Sequence, residues 1–307
     1  MEAQAKAISG NGLGRVRWEA NGDFGARVEV DSEVLRAGLT EQEANGLQGL
    51  LYQQGYLEFT GQSLDAEQWR TFGGMFGHLL PATDEANPVL AVDKSIGGFG
   101  TEPLQWHRDL SYAEHPFEAI GLHALDVNPG ETATSVASCM RAYRSLPETT
   151  KARIEGLTTI SAISPQKDQR PRLKDIENEE GWPRAVHPLA AVHPYTGDKV
   201  LLICPMSTVC IRELEPAESE DLLAELFECI TRPENIHRHD WYNGDILIWD
   251  NFGTIHARDN LEGVTKRTLR RITTGKLSFR MAYPDWDMRA FTDKYVQKNY
   301  MGSGAAY

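Results

Sequence analysis

A histidine and an aspartate stand two positions apart in LQWHRDLSY, residues 104–112, inside an otherwise apolar and aromatic run. If that run is a strand, alternation puts His107 and Asp109 on one face and Trp106 and Arg108 on the other. Such a pair can hold a metal ion, or it can be a histidine hydrogen-bonded to a nearby carboxylate. With nine histidines in 307 residues, an HxD match alone decides nothing. Two further features bear on the choice. His256 follows GDILIWDNFGT, which reads as a tight turn leading into a buried strand. Beyond it, in TKRTLRRITTG (265–275), alternation puts Arg267, Leu269 and Arg271 on one face and Lys266, Thr268 and Arg270 on the other. The apolar residues that follow imply that one of these faces is buried, and a buried guanidinium needs an anion beside it.

Two imidazoles and one carboxylate can occupy one side of an octahedral iron(II), which leaves three positions for a bidentate co-substrate and dioxygen. A planar guanidinium on a neighbouring strand can grip the far carboxylate of that co-substrate with two parallel hydrogen bonds, where an ammonium cannot. Other chemistries share parts of this set. A zinc hydrolase could use the same three ligands, and a non-enzymatic barrel could bind a small carboxylate through Arg267 and Arg271.

The elements that must position these residues are mostly short strands. PVLAVD, EAIGLHALDV, KVLLIC, DILIWD, TLRRITTGKLSF and the opening stretch carry strand composition, mostly between Gly, Pro, Asn or Asp. Strands of this kind suit a barrel or jelly roll. Helices are expected over LTEQEANGLQGLLYQQ, where Thr40 and Glu43 fit a capping box, over SLDAEQWRTFGGMFG, and over EPAESEDLLAELFECITR with its acidic first turns. They come early and as insertions rather than alternating with strands, so a doubly wound parallel sheet fits poorly.

Composition narrows the partners. A net charge of −13 argues against a surface that tracks nucleic-acid phosphates or an anionic membrane. There is no long apolar run and no leader-like N-terminus, so a cytoplasmic location is expected. Cys139, Cys204, Cys210 and Cys229 are widely spaced and read as buried thiols. Residues 1–15 and 301–307 are expected to be flexible, with a single domain over 16–300. The charged stretch around 146–190 reads as an insertion that could serve as a lid.

The order of GYLEFTGQSLDAEQWRTFGGMFG, WHRDLSY, HPYTGDK, GDILIWDNFGTIHA and KRTLRRITTG resembles the Fe(II)/2-oxoglutarate-dependent dioxygenases of the taurine dioxygenase (TauD/TfdA-like) superfamily, and does so over nearly the whole chain. That resemblance implies a mainly β fold with flanking helices, whose core is a double-stranded β-helix (jelly-roll, cupin-like) with helical insertions. It implies iron(II) on His107, Asp109 and His256, with 2-oxoglutarate and O2 as co-substrates. Arg267 matches the arginine that holds the distal 2-oxoglutarate carboxylate. Arg271 matches a second arginine that faces substrate or assists with 2-oxoglutarate. Thr134 matches a threonine that bonds 2-oxoglutarate, with Thr132 as its rival because GETAT stands where the family usually has GGDT. Leu110 falls at a substrate-touching position, the SIGGFGTEP loop is another candidate, and His78 is either a substrate contact or a helix cap. Asp109 favours hydroxylation over halogenation, although desaturation or ring closure can arise from the same chemistry. Pro103 replaces an asparagine of taurine dioxygenase itself, which argues against taurine. The substrate expected is a small, anionic molecule such as an amino-acid derivative or natural-product intermediate. Many relatives are dimers or tetramers, so a homo-oligomer is possible, with AFTDKYVQKNY as a candidate contact.

Overall fold

A computed structural model describes residues 12–80, 89–92, 101–163, 170–177 and 182–286. Most of the SIGGFGTEP loop, the AFTDKYVQKNY segment and the extreme ends of the chain lie outside the described residues. Eight strands build the frame: β1 Tyr56–Phe59, β2 Leu104–His107, β3 Ala119–Val127, β4 Ala133–Ser138, β5 Ile236–Asp240, β6 Ile246–Asp250, β7 Thr254–Arg258 and β8 Arg267–Thr273. They hydrogen-bond in two antiparallel sets, β1-β6-β3-β8 and β5-β4-β7-β2. Strands Gly12–Leu13, Val16–Ala20 and Ala26–Glu29 extend the first sheet beyond β1, and Val89–Ala91 extends it beyond β8. This is the jelly-roll arrangement that the short strands imply.

Strand alternation divides the apolar residues into an inner and two outer layers. Leu247 and Trp249 of β6 turn inward and pack with Tyr56, Ile120, Leu122, Val136, Trp241 and Leu269, which come from both sheets. Ile246 and Ile248 turn outward and meet Leu47, Leu50 and Leu51 of helix α1 (Glu41–Gln54) and Trp69 and Phe72 of helix α2 (Ala66–Gly73). On the other side, Ala137 and Ile255 pack under α3 (Cys139–Ser145) and α4 (Pro216–Ile230). α1 starts with the expected capping box: the Glu43 N–H donates to Thr40 Oγ1 at 3.3 Å, and the Thr40 N–H donates to Glu43 Oε2 at 2.8 Å. Arg15 adds an ion pair to the same Glu43 carboxylate at 2.7 Å, which ties the N-terminal strands to α1. No helix among the described residues is long and apolar enough to cross a membrane.

Within 146–190 the described residues form two short helices, Glu148–Ile154 and Leu173–Glu177, and two strands. Strand Thr158–Ala162 lies between Arg184–Pro188 and Thr208–Ile211 in a separate three-stranded sheet. Its small core of Ala162, Ile163, Ile176, Trp182 and Val209 takes in Tyr112 and Phe279, and His187 Nε2 lies 2.8 Å from the Ser111 carbonyl oxygen. The segment is thus anchored beside the turn that follows His107. Cys139, Cys204 and Cys229 are buried free thiols, whereas Cys210 is only half-buried.

The inner layer has no slack around β6. Trp249→Ala is expected to lower unfolding free energy by about 3–5 kcal/mol, against about 0.5–1.5 kcal/mol for Ile248→Val in the outer layer, as measured by urea denaturation.

Candidate active site

β2 ends at His107, so Asp109 is not placed by strand alternation as the sequence pattern implies. It sits in the turn that follows, where Leu110 adopts φ 56°, the left-handed region that a branched side chain rarely enters. His107 lies directly opposite His256 in the β2–β7 pairing, with ring centroids 4.0 Å apart. Asp109 Oδ1 is 3.5 Å from His107 Nε2, and Asp109 Oδ2 is 3.9 Å from His256 Nε2. One donor atom from each of the three residues lies within 4.8 Å of the others, a spacing that can hold a metal ion.

Their neighbours set the protonation states. His107 Nδ1 lies 2.7 Å from the Gln105 carbonyl oxygen. That carbonyl can only accept, so Nδ1 carries the proton and Nε2 turns a lone pair toward the cluster. Burial, with the adjacent His107, pushes the His256 imidazole well below its ordinary range, so it stays neutral. Burial alone would raise the Asp109 carboxyl, but the Arg271 guanidinium, together with His256 and His107, outweighs it and keeps the acid ionised. Arg271 Nη2 donates to Asp109 Oδ2 at 2.6 Å. The result is two imidazole nitrogens and one anionic oxygen, a donor set that suits iron(II).

The turn is held from the far side. Asn251, fully buried, accepts from the Asp109 N–H at 3.2 Å and donates from Nδ2 to the carbonyls of Asp109 at 3.1 Å and Phe117 at 2.9 Å. Arg108, 2% exposed, points the other way and donates to the Asn251 carbonyl at 3.0 Å and to those of Ile203 and Leu201. Asp250 completes the support: its Oδ2 lies 2.9 Å from His193 Nε2, and both side chains are closed to solvent. These are contacts that motif reading passes over, although WDN directly before the turn into β7 marks the place.

β8 turns Arg267, Leu269 and Arg271 inward as alternation requires, while Arg270 packs outward against His123 and the Trp69 ring. Arg267 is 2% exposed, and among the described residues no carboxylate or carbonyl meets its guanidinium; Nε is buried without a partner. Burial, with Arg258 nearby, brings its pKa down to about 9. Arg258, a third inward arginine that the sequence pattern does not single out, lies opposite Thr134 in the β7–β4 pairing. Thr134 Oγ1 accepts from Trp241 Nε1 at 3.1 Å, and Thr132 Oγ1 is buried with no partner among the described residues. Both hydroxyls are therefore in the inner layer, and the contacts do not choose between them. Leu110 is buried at 3% exposure directly behind Asp109. His78 is exposed; its backbone carbonyl accepts from the Gly275 N–H at 3.0 Å, and the structure does not bring its ring into the cluster.

The profile of the taurine catabolism dioxygenase TauD, TfdA family matches residues 19–273, which includes every strand of the frame. The chain belongs to this family of 2-oxoglutarate-dependent dioxygenases. It is 31% identical to the (S)-phenoxypropionate/alpha-ketoglutarate-dioxygenase of Sphingobium herbicidovorans over 263 residues, 80% of this chain and 90% of the relative. It is 27% identical to pentalenolactone F synthase of Streptomyces avermitilis over 230 residues, 66% of this chain and 75% of the relative. The crystal structure of a taurine dioxygenase from Burkholderia xenovorans superposes with a TM-score of 0.72 at 25% identity, covering 86% of this chain and 92% of that one.

The buried amide of Asn251 has no solvent to replace its partners. Asn251→Ala is expected to cost about 1–3 kcal/mol for the groups left unpaired. Chemical denaturation read by circular dichroism gives the loss, with the native spectrum unchanged before the transition.

Proposed function

We propose that this chain holds iron(II) on His107, Asp109 and His256 and couples oxidative decarboxylation of 2-oxoglutarate to succinate with C–H hydroxylation of a small anionic molecule. The observation that carries this reading is Arg267, a buried guanidinium with no anion beside it among the described residues, in the same inner layer as the three ligands. A buried cation of that kind calls for an anionic ligand. The iron, when bound, supplies the oxidising power together with dioxygen and 2-oxoglutarate.

The chain's own residues bind, orient and exclude water. Arg267 takes the distal carboxylate of 2-oxoglutarate in a two-pronged grip. Arg258 raises the local positive potential, and the Thr134 hydroxyl, with Thr132 two residues earlier, supplies a further hydrogen bond to that end of the molecule. Arg271 holds Asp109 ionised through Oδ2, and its unpartnered Nε is a further donor for an anionic group of co-substrate or substrate. Leu110 and the small sheet built from 158–162, 184–188 and 208–211 border the site on the side where the 146–190 segment would cover substrate. Relatives named for a phenoxypropionate and for 2,4-dichlorophenoxyacetate fit a small carboxylate as the substrate class.

Substrate-dependent succinate release tests this reading. His107→Ala and Asp109→Ala are each expected to lose more than about 100-fold in turnover, beyond what outer-shell changes cost. Arg267→Lys is expected to raise KM for 2-oxoglutarate about 10- to 150-fold, the loss of a charged bidentate contact, with less change in kcat. Undiminished turnover in the His107 and Asp109 variants, or turnover that survives removal of dioxygen, would sink it.

A further inference from the structure

A second group of metal-ligating side chains lies at the opposite edge of the ligand-bearing sheet. The register β2-β7-β4-β5 aligns His107, His256, Val136 and His237 in one row, and Arg258, Thr134 and His239 in the next. His237 and His239 therefore face inward from the edge strand β5, two strands or about 10 Å from His256. Facing them from β1 of the other sheet is Glu58, whose Oε1 lies 2.5 Å from His237 Nε2 and 2.8 Å from His239 Nδ1. These donor atoms lie within 4.8 Å of one another.

We propose that Glu58, His237 and His239 form a second divalent-metal site, of the zinc-binding kind, which pins edge strand β5 to β1 of the facing sheet. The donor set is right for zinc, which takes imidazole nitrogen and carboxylate oxygen at about 2.0–2.2 Å in tetrahedral geometry. That geometry separates neighbouring donors by about 3.3 Å, so the Glu58 carboxylate has to draw back from His237 by about 0.8 Å to admit the ion.

The far nitrogen of His239 provides independent support. His239 is 6% exposed, and its Nε2 is buried and makes no hydrogen bond among the described residues, although Asp245 Oδ2 stands 3.5 Å away. With zinc on Nδ1, the proton belongs on Nε2 and Asp245 becomes its acceptor, the carboxylate–histidine–metal arrangement that fixes a ligand's tautomer and raises its basicity. Asp245 is itself fixed, accepting from the Tyr242 N–H at 3.1 Å. The Tyr56 ring stacks on His237 at 4.2 Å and sets the plane of that imidazole. The His237 side chain is 19% exposed, which leaves the ion a way in from solvent. Zinc binds nitrogen and oxygen donors more tightly than iron(II), so it occupies the His107, Asp109 and His256 ligands as well, and a variant without those histidines is needed to count this site alone.

Metal-stripped protein is incubated with zinc chloride and desalted, and bound zinc is counted by mass spectrometry. The full chain is expected to keep two zinc ions and the His107→Ala/His256→Ala variant one, with two imidazoles in the zinc X-ray absorption spectrum of that variant. Glu58→Gln and His237→Gln should each lose one zinc. Asp245→Asn should keep it with an affinity about 10- to 100-fold weaker. Zinc should raise the thermal midpoint of the His107→Ala/His256→Ala variant. A single zinc in the folded full chain overturns the proposal, as does a zinc count unmoved by both Glu58→Gln and His237→Gln. Circular dichroism establishes that each variant is folded, and either variant alone suffices if the other is not.

Discussion

The site hangs on one buried amide. Asn251 closes two hydrogen bonds on the backbone of Asp109 and a third on Phe117, and Arg108 reaches back to the Asn251 carbonyl. These contacts join a turn after β2 to a turn before β7, so the carboxylate and the second histidine are positioned by the same local structure. Asn251 and Arg108 are buried, so neither can exchange its partners for water without cost. The left-handed backbone at Leu110 belongs to the same constraint, because strain of that kind persists only where surrounding contacts over-determine it. The two loops hold each other in place.

Charge in the inner layer runs against the chain as a whole. A protein with net charge −13 places Arg258, Arg267 and Arg271 within its central layer, where Arg271 pairs with the Asp109 carboxylate and Arg267, among the described residues, meets none. Burial makes that concentration of positive charge costly, as the lowered pKa of Arg267 registers. The cost is offset when an anion enters.

Much of this was legible in the sequence because it depends on periodicity. Two-residue alternation placed Arg267 and Arg271 inward, and the Thr40–Glu43 spacing announced the start of α1. The dioxygenase motifs were legible too, because their order along the chain mirrors the order of the strands. What failed was alternation carried one step too far: β2 stops at His107, and no glycine or proline marks the turn that presents Asp109. Thr132 and Thr134 stayed unresolved because i and i+2 share a face, and the hydrogen bonds leave both inside. Glu58, His237 and His239 were not legible as a group. They come from strands in different sheets, and no local pattern records which strands face each other.

The direct pairing of His107 with His256 across β2 and β7 also sets when the site can exist during synthesis. The two histidines are separated by half the chain, and β7 must first find β4 and β2 before the imidazoles meet. On a ribosome, everything up to β6 can emerge and begin to pack while the cluster is still one histidine short. Long-range antiparallel closure of this kind is slow compared with helix formation. The ligand cluster is then a late event of folding, and a chain truncated anywhere before its last two core strands would be born with no metal centre to fill.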